Sequence, residues 1–370
     1  MLERRNRAFG AELSAAGVRF RFWAPAVSNV VLRLDGDRLA MEAQSEGWFE
    51  LFVVGAKAGG RYCYEVDEGC VPDPASRFQP EGVHAPSEIV DPGAYRWRRS
   101  DWHSRPWHET VLYELHVGTF TERGTFRAAI ERLDGLRELG VNAIELMPVA
   151  QAAGDRGWGY DGVFPFAPSR AYGRPEDLRA LIDAAHAREI AVFLDVVYNH
   201  FGPEGNYLHR YAPAFFTERH HTPWGNAINF DGSQSETVRR FFVENALYWL
   251  EDFRFDGLRL DAVHEVRDDS ERHILVEIAE NVRDEIPAGR NVHLVLENDD
   301  NAARFLGKPH GKLLYDAQWN DDAHHAAHVA LTGERAGYYR DAGFARASCF
   351  AGNGSRFLRG GQKRVRHARH

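Results

Sequence analysis

The stretch DGLRLDAVH, residues 256–264, places an arginine and an aspartate two residues apart, Arg259 and Asp261, in an otherwise apolar run. Side chains alternate faces along a strand, so positions i and i+2 point the same way. Burying such a pair is costly. An isolated Arg-x-Asp is more often a structural salt bridge than a site. An arginine on that face would also keep the aspartate ionised, the form a carboxylate nucleophile needs.

Two neighbouring runs favour the second reading. AVFLDVVYNH (191–200) ends in Asp195, Asn199 and His200, and NVHLVLENDD (291–300) carries Glu297. Near-continuous apolar runs of this length predict parallel strands buried on both faces. Their polar residues fall at the C-terminal ends, where parallel barrels build active sites. Helices are expected between them. Residues 176–189 place Leu178, Leu181, Ile182 and Ala185 on one stripe behind Pro175. Residues 235–253 do the same with Val238, Phe241, Phe242, Leu247 and Leu250 after a capping-type Ser235, and 270–286 stops before Pro287. Upstream, VLYELHVGTF (111–120) reads as the first strand. ERLDGLRELG follows as a helix ending at Gly140, then VNAIELMPV (141–149) as a strand; KLLYDAQW (312–319) is a sixth. About six βα units result, against eight for a closed barrel.

Residues 1–100 are patterned differently. GVRFRFWAPAVSNVVLRL, GWFELFVVG and GRYCYEVDEG alternate over short runs between turns, a β-sandwich pattern. Residues 71–92 form a Pro-rich link. A net charge of −9 argues against nucleic acid and for a neutral partner. The 9 tryptophans and 13 tyrosines would suit sugar rings, although most such residues serve packing. Cys63, Cys70 and Cys349 show neither metal spacing nor an even-numbered framework, which points to a reducing cytoplasm. The first ten residues lack a signal-peptide core, and no run approaches the ~20 apolar residues of a membrane span. Oligomeric state is not legible.

DVVYNH, DGLRLDAVH and the glutamate of LVLEND follow one another in the order and approximate spacing of the α-amylase superfamily of glycoside hydrolases, which the chain resembles. ELHVGTFT, IELMPVAQ, GWGYDGVFPFAPSRAYG, YNHFGPEGNYL, TPWGNAINFDG and LYDAQWNDDAHHA narrow the resemblance to the branch that releases trehalose from maltooligosyl trehalose. The related glycogen branching enzymes share the superfamily segments but not the GPEGNYL and DAQWNDD forms.

The resemblance implies an α/β fold: an immunoglobulin-like β-sandwich over 1–100, then a (β/α)8 TIM-type barrel over 101–345 that is incomplete at its C-terminal end. It implies hydrolysis of the α-1,4 bond next to the terminal trehalose with retention, Asp261 as nucleophile and Glu297 as acid/base. Arg259 would orient Asp261. Asp195 and His200 would line the subsite at the cleaved bond, Tyr160 would stack on the sugar there, and His264 would reach the leaving-group side. Asn320, Asp321 and His325 would sit at the rim near substrate. No cofactor is expected. No metal is expected either, since His324 and His328 share a helix face without the Glu of H-E-x-x-H.

Two alternatives stay open: an α-glucan branching transferase, and a non-catalytic glucan-binding remnant. The superfamily's third acid, an Asp after Asn-His on the seventh strand, has no counterpart here. Residues 346–370 are basic, hold no acid and match nothing in the family; a shifted reading frame or premature stop is the expectation for this tail, with disorder. The chain as given is therefore expected to release no trehalose.

Overall fold

Six short runs, five of them carrying leucine, isoleucine or valine, form the strands that position the site. They are β1 (Leu112–Leu115), β2 (Ala143–Leu146), β3 (Ala191–Val196), β4 (Gly257–Leu260), β5 (His293–Glu297) and β6 (Ala317–Trp319). All pair in parallel, in chain order. The computed structural model describes residues 7–67, 69–300, 302–307, 311 and 313–340, so the tail at 346–370 lies outside the described residues. Every residue of β2, β3 and β4 is buried, which explains why those runs do not alternate in polarity. Six of the eight strands of the expected barrel are thus present among the described residues.

The strand expected over 111–120 stops at Leu115, and Val117–Phe120 is a helical turn. The ladder runs out because Leu115 pairs with Leu146, and Pro148 lies just beyond on the partner strand. Three longer helices match expectation closely: Pro175–His186, Ser235–Asp252 and Ile274–Glu285. The last starts later than residue 270, because Asp268 accepts the Ile274 N–H and an Arg239 ion pair, tying the preceding residues into a loop. Ser235 is not a cap: Gln234, in a left-handed conformation, takes that position. Within ERLDGLRELG (131–140) only Leu133–Glu138 is helical, and a separate short helix, Phe126–Ile130, precedes it.

The N-terminal region is an immunoglobulin-like sandwich of antiparallel strands. Gly10–Leu13, Gly17–Trp23, Trp48–Val54 and Glu42–Ala43 make one sheet. Val31–Leu34, Asp37–Ala40, Arg61–Val66, Gly69–Val71 and Ser87–Glu88 make the other. Phe22 stacks on Tyr64 at 4.1 Å between them. The same core continues into the barrel helices: Phe9 meets Phe241 at 5.1 Å, Phe22 meets Tyr211 at 4.6 Å, and Trp23 meets Phe215 at 5.5 Å.

Cys63 and Cys70 are disulfide-bonded across one hairpin, with Cα atoms 5.9 Å apart. This corrects the reading of an unpaired set. Cys70 pairs in register with Glu65, which brings it diagonally opposite Cys63, a relation that spacing alone did not reveal. The cysteines therefore no longer argue for a reducing compartment. Among the described residues no helix is long and apolar enough to cross a membrane.

Candidate active site

Asp261 is held where the expectation placed it, immediately past β4. Its N–H still bonds Val196 O at 3.0 Å, so the strand ladder positions its backbone. Ala262 then turns left-handed (φ 41°, ψ 50°), an uncommon conformation for a residue with a Cβ. That turn aims the Ala262 N–H at Glu297 Oε2, 2.8 Å away at the end of β5.

Arg259 joins three acids. Its Nη1 donates to Asp195 Oδ2 at 2.8 Å and to Asp261 Oδ1 at 2.9 Å, and its Nη2 lies 3.0 Å from Glu297 Oε1. Asp195 pairs directly with Arg259 in the β3–β4 register, which explains the first contact. The guanidinium packs 4.8 Å from the Trp319 ring of β6. Burial pulls the Arg259 pKa down, but Asp195, Glu297 and Asp261 outweigh it and raise it, so the arginine stays charged. Burial pushes Asp195 up to about 7 against the pull of Arg259.

Tyr160 donates its hydroxyl to Asp195 Oδ2 at 2.9 Å. Gly159 makes this possible: its φ is +96°, and a Cβ there would sit 2.1 Å from Pro148 O. His200 hydrogen-bonds Asn199 and stacks flat on Trp224, with ring centres 4.3 Å apart. Burial lowers its pKa, favouring a neutral ring. His264 Nδ1 accepts the Asp299 N–H at 3.3 Å, beside the segment that follows Glu297.

The sixth-strand residues divide. Burial and a hydrogen bond with Asp299 raise the Asp321 pKa, and Glu297 adds to the shift, so Asp321 belongs electrostatically to the same rim. Asn320 caps helix Asp321–Thr332 by accepting the Ala323 N–H at 2.9 Å. His325 packs against Tyr339, with ring centres 5.5 Å apart.

Sequence reasoning missed four contributors. Asn199 Nδ2 donates to Asp261 O at 2.8 Å and to Asp261 Oδ2 at 3.0 Å. Trp224, Trp319 and the Ala262 N–H complete the surroundings. Asn199 was visible as a polar residue at a strand end. Nothing in the spacing distinguished the other three.

Two acids and an arginine at the C-terminal ends of neighbouring parallel strands, behind an immunoglobulin-like sandwich, define a glycoside-hydrolase architecture. Residues 95–224 match the α-amylase catalytic domain, and residues 8–79 match carbohydrate-binding module 48, the isoamylase N-terminal domain. These matches place residues 8–79 and 95–224 among the domains of the α-amylase superfamily. Within it, the chain is similar to malto-oligosyltrehalose trehalohydrolases. It is 47% identical over 341 residues to the one from Saccharolobus solfataricus, covering 90% of this chain and 59% of that protein. It is 48% identical over 326 residues to the one from Deinococcus radiodurans, covering 88% and 52%. The crystal structure of a candidate α-amylase from Salmonella typhimurium superposes with a TM-score of 0.89 at 48% identity, covering 93% of this chain and 59% of that one. The chain thus spans about half to three fifths of the length of these relatives.

Proposed function

We propose that this chain carries the catalytic residues of a retaining glycoside hydrolase that cleaves the α-1,4 bond next to the terminal trehalose of maltooligosyl trehalose. The observation that carries the reading is the single guanidinium of Arg259 holding Asp261 and Glu297 together. Retaining hydrolysis uses two carboxyl groups about 5–5.5 Å apart, one attacking the anomeric carbon and one protonating the leaving oxygen. Asp261 is the nucleophile, paired with Arg259 and oriented by Asn199. Glu297 is the acid and, after water enters, the base. Its Oε2 is fixed by the Ala262 N–H and its Oε1 by Arg259. Asp195, Tyr160 and His200 form the wall of the sugar subsite, His264 lies toward the leaving group, and Asn320, Asp321 and His325 lie at the rim near substrate. In this reading residues 1–100 are a glucan-associated module and 101–345 the catalytic region.

The choice of trehalose-capped substrate rests on similarity to trehalohydrolases over about nine tenths of the chain. The 370 residues contain no Asn-His-Asp segment to supply a third acid. The test therefore uses two proteins: the chain as given, and residues 1–340 completed with the C-terminal remainder of the Deinococcus relative. Both are incubated with maltooligosyl trehalose and with amylose. Free trehalose from the completed chain, abolished by Asp261→Asn, supports the proposal. New α-1,6 branches in amylose would replace it with the transferase reading. Glucan binding without turnover in both proteins would replace it with the binding-module reading.

A further inference from the structure

A second acidic group lies behind the site. Glu145 of β2 is fully buried, and among the described residues neither of its carboxylate oxygens has a hydrogen-bond partner; Asp195 Oδ1 also lacks one there. One carboxylate oxygen from each of Glu114, Glu145 and Asp195 lies within 4.8 Å of the other two. Ionised carboxylates only accept hydrogen bonds, so these orphan oxygens cannot satisfy one another while both groups are charged. Two buried carboxylates side by side retain one proton between them. Asp195 already receives two donors on Oδ2, from Arg259 at 2.8 Å and Tyr160 at 2.9 Å, whereas Glu145 receives none. The proton therefore belongs to Glu145.

We infer that Glu145 is a positioning residue, a neutral carboxylic acid that donates its O–H to Asp195 Oδ1, directly or through one bridging water. Asp195 is thereby held at both oxygens, and it in turn fixes Arg259, which carries Asp261 and Glu297. The consequence for turnover rests on the hydrolase reading; the proton on Glu145 does not. Burial, then Asp195, pushes Glu145 up to about 8, with Glu114 and Glu297 acting in the same direction and Arg259 opposing. Those are the charged groups facing it from β1, β3, β4 and β5. A metal cation is a weaker solution, because Arg259 already brings a cation to Asp195.

Infrared titration of the 370-residue chain reads the proton directly. A carboxylic-acid carbonyl band should vanish as pH rises through about 8 and be missing from Glu145→Gln. Urea unfolding gives an independent reading. The folded chain keeps a proton that the unfolded chain releases above its ordinary carboxylate pKa near ~4.3, so stability falls as pH rises from there to about 8. Glu145→Gln should flatten that slope. In the completed chain, Glu145→Gln, which still donates an N–H, should keep kcat within about threefold. Glu145→Leu should lower kcat at least about tenfold with KM nearly unchanged, as loss of positioning requires. Absence of a band removed by Glu145→Gln overturns the inference, as do equal kcat values for the Gln and Leu variants. A rise in melting temperature with Ca2+ or Mg2+ that Glu145→Gln abolishes overturns it in favour of a cation site. If the completed chain turns over no glucan, the hydrolase reading fails, while the infrared and urea titrations still decide whether Glu145 holds the proton.

Discussion

Arg259, 3% exposed, serves Asp195, Asp261 and Glu297 at once, so its loss leaves several acids near one another without their counter-ion. Breaking a buried pair from one side costs about 3–5 kcal/mol. Arg259→Met is therefore expected to lower the urea midpoint clearly, and Arg259→Lys, which keeps charge but not the fork, to fall between. In a chain competent for turnover, Asp261→Asn should cut kcat by several orders of magnitude while maltooligosaccharide binding persists, because the amide keeps the shape without the attacking charge. Retention of even about a tenth of turnover would remove Asp261 from the nucleophile's role. Glu297→Gln should abolish cleavage of natural glucans yet spare substrates with activated leaving groups, which depart without a proton. Equal losses on both substrates would leave Glu297 a structural residue. Arg259, Asp261 and Glu297 were legible in the sequence because strand parity and strand-end position are local properties. Asn199's grip on Asp261 and Trp224's stacking on His200 were not, because loops that diverge from the strands bring those groups together.

The strands carry the site by close approach. A Cβ on Gly257 would lie 2.4 Å from the Phe193 ring and 2.7 Å from His293 O, so β4 enters the sheet only as glycine between β3 and β5. Gly257→Ala must shift that ring or the strand. Overpacking of this kind costs typically about 1–3 kcal/mol, measurable as a lower urea midpoint. An unchanged midpoint would show that Phe193 has room to move. The elements also show where periodicity reads well. Helix Pro175–His186 was visible because its apolar residues Leu178, Leu181, Ile182 and Ala185 recur on one face behind an N-terminal proline. The end of β1 was not visible, because HVGTF continues the apolar pattern while the ladder has already run out at Leu115.

Across the molecule, sandwich and barrel share one apolar core through Phe9, Phe22, Trp23, Tyr211, Phe215 and Phe241. Far-ultraviolet circular dichroism and tryptophan fluorescence should therefore report one coincident unfolding transition. Two separated transitions would mean that the shared core does not couple the regions. A buried acid, Asp256, and a partly buried one, Asp316, brace the opposite end of the sheet. Asp256 binds Trp102 Nε1 at 2.7 Å, His186 Nε2 at 2.8 Å and the Val192 N–H at 2.8 Å; Asp316 binds Arg283 at 2.7 Å and the Leu294 N–H at 2.9 Å. Burial alone would raise both pKa values, but His186 for Asp256, and His293 with Arg283 for Asp316, outweigh it and lower them. Such groups stabilise the fold above the unfolded pKa near ~3.9, and that contribution is lost as pH falls below it through the folded value. The urea midpoint should drop steeply below about pH 4, and less steeply in Asp316→Asn; an identical acid profile in that variant would refute the role of Asp316. The alternation of strands and helices, the burial of the central strands β2, β3 and β4, and the residues waiting at strand ends were readable from local pattern, because periodicity encodes which side of an element faces inward. The sharing of Arg259 among three acids, the orphaned oxygens of Glu145, the Cys63–Cys70 bond and the fused core were not. Those depend on the register between segments distant in the chain, and periodicity specifies burial without naming the partner.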